Sequence, residues 1–401
     1  MSTTVGGERQ AVAPAGVAAP SRPLTVLYVT PSGELGGVER FLDGLLLHHD
    51  RTRVRPLLLA AREGAWTRAL RQDGRDVFVL PGAQLRDIVR FTARLRALLR
   101  DERVDLVHSA FAWAHALTAP AARLEGVPQL WFEHGPVWSR RWRGVTSLVP
   151  ARRILVNSDW TLRAVRRSIH VADGYDVIPL TVDVDRLRPD DEARARFRSR
   201  WEVGEHDVAV GLIGFLDPYK GQHVFLEAAE RMLARGTRAV FFVIGGARRG
   251  KAEKYCLPYI EKLHRFVRER GLEPHVRFTG HVDVTDGALD GLDVVVNASV
   301  NPEPFGMTII EAMAKARPVI GPAQAGPKEN ISDGIDGLLV PPSDPVALAD
   351  AIERLVRDGE LRARMGAAGR AKAEERFHPR CAARRLEAVY EGLVTPRTPR
   401  A

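Results

Sequence analysis

Cysteine is nearly absent from this chain: its two residues, Cys256 and Cys381, stand in unrelated contexts without metal-ligand spacing. That argues against a disulfide framework or a Cys-based zinc site and predicts a reducing, cytoplasmic setting. No apolar run approaches the roughly 20 residues that a membrane-crossing helix needs. A soluble protein, or one attached peripherally at the inner face of a membrane, is therefore expected. No His/Cys cluster offers cation ligands at a recognisable spacing, so no metal site is expected. No compact Gly-x-Gly-x-x-Gly turn is present, which removes the usual sign of a redox dehydrogenase. The net charge of +9 favours anionic partners, but no nucleic-acid motif accompanies it and nucleic acid is not expected. Arg and Ala are abundant and Lys is scarce, as in a GC-rich bacterial genome.

The chain has 401 residues, with 45% hydrophobic and 27% charged. These are ordinary globular values, and the length calls for two cores rather than one. Residues 1–22 are Ala, Gly, Pro and Val without period or large side chains, and read as a disordered tail without the basic and apolar regions of a secretory signal. From residue 24 onward, short β-rich runs alternate with longer helical patterns, the mark of parallel sheets covered by helices on both faces. Candidate strands in the first half are 24–29, 54–59, 76–80, 105–108, 129–132, 154–157 and 176–178. In the second half they are 208–213, 240–244, 276–279, 294–297, 318–321 and 337–340. Between the third and fourth, Ile88, Phe91, Leu95, Leu98 and Leu99 recur at helical spacing, with Arg86, Arg90 and Arg94 on the other side.

The alternation pauses over the charged stretch 183–205, where the linker is placed. The expected architecture is α/β: a Rossmann-like domain at 23–185, a second at 205–378, a helix at 379–394 packing back toward the first domain, and a disordered tail at 395–401. Two such doubly wound sheets face each other across a cleft, and ligands sit beyond the carboxyl ends of their strands.

The most informative string is Glu303 to Glu311, EPFGMTIIE, continuing into AMA. Phe305 and Gly306 open a helix there, followed by Met307. The first N–H groups of a helix lack intrahelical partners and, with the helix dipole, suit phosphate oxygens. Gly306 lets the backbone approach an anion closely. Glu303 and Glu311 bracket that start, and carboxylates accept hydrogen bonds from vicinal hydroxyls. Taken singly, each is better explained as a dipole-complementing acid or a solvated helical Glu than as a ligand to hydroxyls.

The string as a whole resembles the Glu-x7-Glu motif of retaining glycosyltransferases of family 4, whose fold is of the GT-B kind. Its neighbours agree: Ala325-Gly326-Pro327 with Glu329 is similar to the family's Gly-Gly-x-x-Glu, and Asp333-Gly334 with Gly337-Leu338-Leu339-Val340-Pro341-Pro342 is similar to its Asp-Gly-x-x-Gly-Leu-Leu-Val-Pro-Pro. The resemblance covers roughly residues 205–375 and is looser before them. Leu35-Gly36-Gly37-Val38-Glu39-Arg40 resembles the amino-terminal Gly-Gly-x-Glu-Arg loop, whose glycine amides face the donor diphosphate. His134, in Trp131-Phe132-Glu133-His134-Gly135, stands where the family often has a histidine near the reacting sugar; taken alone it is as readily structural.

Two positions depart from the pattern. Where the family commonly has Gly-Arg and then Lys-Gly, this chain has Gly214-Phe215 and Lys220-Gly221, so Lys220 remains and the arginine is Phe215. Arg248 or Arg249, after Gly245-Gly246, are the candidates to replace it. Thr181 stands where a glycine is usual, near the linker.

The resemblance implies transfer of a sugar from a nucleotide-diphosphate donor, a UDP-sugar first and GDP-mannose also open, with retained configuration and without a metal or other cofactor. Lys220, Glu303 and His134 would be catalytic; Gly36, Gly37, Gly214, Lys220, Gly245, Glu303, Phe305, Gly306, Met307 and Glu311 would hold the donor. Glu303 would take the sugar hydroxyls and Glu311 the ribose. The acceptor is not named by the sequence: a cell-envelope glycan, a glycolipid and a natural product all fit.

Residues 138–167 hold eight arginines against one acid, Asp159, with Trp138, Trp142 and Trp160 among them. With the arginine face of 86–100, this surface could dock on anionic lipid, bind an anionic acceptor, or simply be solvated. A sugar-nucleotide epimerase or a phosphorylase of the same fold, or a binding protein with an impaired site, are the competing functions.

Overall fold

The computed structural model describes residues 22–81, 87–135, 151–167, 169, 174–247, 253–282 and 287–394. The N-terminal tail before Arg22, the segment 136–150, Arg86, Arg248, Arg249 and the last seven residues lie outside the described residues. So does the part of the basic stretch that carries Trp138 and Trp142.

Leu24–Thr30 (β1), Val54–Ala60 (β2), Val77–Val79 (β3), Leu106–Ala110 (β4), Gln129–Glu133 (β5), Arg153–Val156 (β6) and Tyr175–Val177 (β7) form one sheet in the order β3-β2-β1-β4-β5-β6-β7. All of its pairings are parallel. Every residue of β1 is buried, which follows from its unbroken LTVLYVT run and from helices covering both faces. Ala209–Ile213 (β8), Val240–Ile244 (β9), Val276–Gly280 (β10), Val294–Val296 (β11), Val319–Pro322 (β12) and Gly337–Val340 (β13) form the second sheet, ordered β10-β9-β8-β11-β12-β13 and also parallel. The fold is therefore α/β of the GT-B kind, with two Rossmann-like units. In each, strand order reverses beside the first strand, so β1/β4 and β8/β11 mark the switch points where ligands bind in such sheets.

Helix Ile88–Asp101 buries Phe91, Leu95 and Leu99, while Arg90 and Arg94 point to solvent. The linker differs from expectation: part of 183–205 is a helix, Asp191–Arg200, anchored on the second sheet's unit. Asp190 accepts the Ala193 N–H at its start, Arg194 and Arg198 pair with Asp293 at 2.6 and 3.1 Å, and Gly291 leaves room for the Phe197 ring. Ala193, Phe197 and Arg198 are its buried residues, too thin an apolar stripe to show as periodicity in DEARARFRSR.

The two units share one apolar cluster that runs from Tyr28, Phe41 and Phe132 through Leu180 to Phe305, Phe377 and Leu386. At its far side, helix Pro379–Leu393 lies on helix Gly37–His48 of the first unit. Tyr390 Oη is 2.7 Å from both Tyr28 Oη and His108 Nδ1. Glu387 accepts from His49 Nδ1 and Arg53, each at 2.9 Å. Apart from His108 Nε2, which has no partner among the described residues, these groups bond to one another, which is how buried polar groups escape the penalty of burial. Among the described residues no helix is long and apolar enough to cross a membrane.

Candidate active site

Glu303 lies in the turn after β11, and both of its carboxylate oxygens are bonded. Oε1 accepts from Lys220 Nζ at 2.8 Å, and Oε2 from Asn297 Nδ2 at 3.0 Å and Ser299 Oγ at 2.6 Å. Burial pushes this carboxyl up, but the Lys220 ammonium and the three donors outweigh it and hold its pKa below the ordinary value. Glu303 is thus a fixed anion. Lys220 ends the short turn Pro218–Lys220, capped by Asp217, and its methylenes run over Gly214, about van der Waals distance from where a Cβ would stand. Gly221 follows with φ +72, and a Cβ there would lie 1.9 Å from the Ala298 carbonyl oxygen. Glycine is required because the Lys220 turn presses against the strand end that carries Asn297 and Ser299. A Cβ on Gly245 would likewise fall 2.0 Å from the Gly214 carbonyl oxygen, so the ends of β8 and β9 meet backbone to backbone.

The helix that follows runs Met307–Ala314, with Gly306 as its N-cap at φ +88. It begins later than the expected start at Phe305. The Phe305 side chain is buried and meets the Phe377 ring edge-on at 6.1 Å, so only its main chain is available to a ligand. Gly326 N–H donates to the Glu303 carbonyl and Asn330 Nδ2 to that of Phe305. The Gly326 backbone lies so close that a Cβ would be 2.4 Å from Phe305 Cα. The two motifs are therefore one structure, the second clamping the turn that presents the first.

Opposite, Gly36 is the N-cap of helix Gly37–His48 without any side-chain cap, and nothing lies within 4 Å of a Cβ built on Gly37. The helix start is held from behind by buried Glu39, which accepts from Thr30 Oγ1 at 3.0 Å. The two helix starts are neighbours across the cleft, since Arg40 Nη1 pairs with Glu311 Oε1 at 3.2 Å. Glu311 is buried on the second helix's second turn.

His134 follows β5 and stacks on Phe132 at 4.5 Å, with Phe111 and Phe41 around it. Neither ring nitrogen has a hydrogen-bond partner among the described residues. Burial pushes its pKa down to about 3, so the imidazole is neutral and offers one donor and one acceptor. The turn is docked on the Glu303 segment: Asn157 Nδ2 donates to the His134 carbonyl, and Ser158 Oγ donates to the Pro304 carbonyl at 2.7 Å. Phe111, with φ +84, holds a backbone conformation rarely taken by a bulky residue. That geometry points the Ala112 N–H at the Glu133 carboxylate while the Phe111 ring faces His134.

Among the described residues no three His, Cys, Asp or Glu side chains converge as a metal site. Asp183 and Asp185 in the linker serve Arg186 N–H, Arg188 and His378.

Residues 35–186 match the family described as Glycosyltransferase Family 4, and residues 207–358 match Glycosyl transferases group 1. The chain is 30% identical over 331 residues, 76% of its length and 77% of the relative's, to a D-inositol 3-phosphate glycosyltransferase of Corynebacterium jeikeium. It belongs to glycosyltransferase family 4. A GDP-mannose-dependent alpha-(1-6)-phosphatidylinositol monomannoside mannosyltransferase of Mycolicibacterium smegmatis is 27% identical over 379 residues, 89% of this chain and 95% of that one. The solved structure of Anabaena HepE in complex with UDP superposes with a TM-score of 0.80 at 23% identity, over 92% of this chain and 100% of that one. A glycosyltransferase from Rickettsia africae gives 0.80 at 19% identity, over 93% and 99%.

In this glycosyltransferase the expected residues gather at two facing helix starts, Gly36–Gly37 and Gly306–Met307, with Lys220, Glu303 and Glu311 between. Gly214 lies under Lys220 and Gly245 against Gly214, both as backbone, and His134 joins from the β5 end. Phe215 is half exposed, at 48%, and its proposed substitutes Arg248 and Arg249 lie outside the described residues. Asn297 and Ser299, which fix Glu303, were missed; their sign was a polar pair closing a Val-Val-Val strand. Arg40 and Glu329 were read as parts of motifs and given no role.

Proposed function

We propose that this family 4 glycosyltransferase moves a sugar from a nucleoside-diphosphate donor to a hydroxyl acceptor with retained configuration, without a metal. The observation that carries the reading is the Lys220–Glu303 pair at 2.8 Å, fixed by Asn297 and Ser299 at the mouth of the Gly306 helix. Glu303 is held ionised and directed, as a group that accepts sugar hydroxyls must be. Glu311 takes the ribose. The diphosphate lies between the amides of Gly36–Gly37 and of the Met307 helix start, with Lys220 beside it, a set of preorganised charges and dipoles.

As the bond from the anomeric carbon to the phosphate oxygen breaks, the acceptor oxygen forms its bond on the same face. The acceptor proton passes to the departing phosphate oxygen. His134, kept neutral by burial, hydrogen-bonds a sugar or acceptor hydroxyl. Contacts between the two units exclude water from the donor.

GDP-mannose is the first donor to test, because the relatives aligned over most of their length include enzymes of that name; a UDP-sugar is the second, as HepE was solved with UDP. The acceptor we favour carries an anionic group, lipid-linked or free, in keeping with the exposed Arg90 and Arg94 and with relatives named for inositol phosphates. Thermal shift against GDP, UDP, ADP and dTDP tests the donor, since a bound nucleotide raises apparent stability. Failure of all four to shift the protein would defeat this reading.

A further inference from the structure

Glu133 is the last residue of β5, next to His134, and it is buried. Every group bonded to its carboxylate is a donor. Trp131 Nε1 donates to Oε2 at 3.0 Å, and the main-chain N–H groups of Ala112, His134 and Gly135 complete the set. These come from β5 itself, from the turn that follows it and from the start of helix Ala112–Glu125. A carboxylate has about four lone-pair sites, and these donors use them up. None is left over for a substrate, so any part Glu133 takes in the reaction passes through the groups it holds.

Each of the three amides governs something at the site. Phe111 turns with φ +84 to bring the Ala112 N–H round, a backbone conformation that a bulky residue keeps only where its surroundings hold it. Its ring then stands 5.1 Å from that of His134. The His134 amide fixes the main chain from which the imidazole projects. The Gly135 amide fixes the residue that abuts the Glu303 turn, where a Cβ would lie 3.2 Å from Pro304 Cγ. His134 is not held through its own ring, because neither nitrogen has a partner among the described residues. Among those residues its placement comes from its main chain and from the rings of Phe41, Phe111 and Phe132.

We propose that Glu133 is a positioning residue: its carboxylate fixes the His134 imidazole against the Pro304–Glu303 turn, so that His134 and Glu303 meet the transferred sugar together. This rests on the donor reading above. In the proposed site the nucleotide and its diphosphate are held by Glu311, Lys220 and the two helix starts, and the sugar by Glu303 and His134. Glu133 governs the sugar half alone.

Isothermal titration of the full-length protein with GDP, GDP-mannose, UDP and UDP-glucose tests this, comparing nucleotide with nucleotide-sugar in whichever pair binds. It is run at about pH 8.5, above the value of about 7 to which burial raises this carboxyl, so that Glu133 is the anion. Glu133→Ala should leave nucleotide affinity within about twofold and weaken the nucleotide-sugar about tenfold, what one hydrogen bond to the sugar contributes. Glu133→Gln keeps the shape and one acceptor oxygen, and should come back to within about threefold of the unsubstituted protein. If Glu133→Ala does not fold, Glu133→Asp, which draws the charge back by one methylene, carries the same expectation. Added to His134→Ala, the Glu133 substitution should cost less than about twofold more, because it acts through a side chain already removed. Equal losses for nucleotide and nucleotide-sugar would make Glu133 a general support of the fold and overturn the role, as would unchanged affinity for both. Additive losses in the double variant would overturn it too. If the unsubstituted protein bound neither nucleotide, the donor reading itself would fall and this role with it.

Discussion

Glu329 accepts the main-chain N–H of Trp160 at 2.7 Å and that of Asp159 at 2.8 Å. A carboxylate of the second unit thus caps the start of a helix in the first, Asp159–Arg166, with Arg163 at 3.7 Å. Both charge and hydrogen bonding favour an anion at that end. Because the Gly326 backbone of the same segment clamps the Glu303 turn, the cap links closure of the cleft to the donor site. Glu329→Ala should therefore lose about 1–2 kcal/mol of stability and raise donor hydrolysis relative to transfer at least about threefold. Product analysis by NMR measures the ratio; an unchanged ratio would separate the cap from catalysis.

Removing the charges themselves should be more severe. Lys220→Ala leaves Glu303 buried without its cation, and Glu311→Ala removes the proposed ribose acceptor; each should reduce donor kcat/KM at least about tenfold. Full activity in either variant would take that residue out of the site.

The Ala325-Gly326 pair makes a test of backbone geometry. Ala325 is at φ +48, where a Cβ is disfavoured by roughly 1 kcal/mol, so Ala325→Gly should be neutral or slightly stabilising in urea unfolding. Gly326→Ala drives a methyl into Phe305 Cα, and should cost both stability and donor binding.

Glu133 gives a pH signature. Burial raises its carboxyl from 4.5 to about 7 despite the bonds from Trp131 and from the Ala112, His134 and Gly135 amides. The folded state therefore binds the proton more tightly than the unfolded one. Its contribution is fully present below 4.5 and is lost as pH rises to about 7. Between about pH 5 and about pH 8 the unfolding free energy of wild type should fall, relative to Glu133→Gln, by up to about 3 kcal/mol. Parallel pH profiles would show that Glu133 is ionised throughout.

On the proposed mechanism, in which Lys220 and the two helix starts meet the leaving diphosphate directly, activity should persist in EDTA. Loss in EDTA with recovery on adding magnesium would assign that task to a metal.

The thirteen strands of the described residues were legible in the sequence, most plainly those buried on both faces and therefore apolar in a near-continuous run, as LTVLYVT and VFFVI are. The helix Asp191–Arg200 was not, since its burial depends on Asp293 and Gly291, far along the chain, and not on its own pattern. Glu303, Gly306 and Glu311 stand in one short string and Lys220 and Gly36–Gly37 in short strings of their own, so each was readable as a motif from neighbouring residues. Phe305, inside the same motif, was named for its main chain at the helix start; that its ring serves the core is shown only by its packing against Phe377.

The sequence by itself determined two doubly wound units and the segment that presents the carboxylates, because strand burial and helix-start chemistry are written in neighbouring residues. Only the tertiary structure decided which groups share the pocket. The Arg40–Glu311 pair spans 271 positions and the Ser158–Pro304 bond 146. Contacts across such separations depend on how two sheets are set against each other, which no local pattern records.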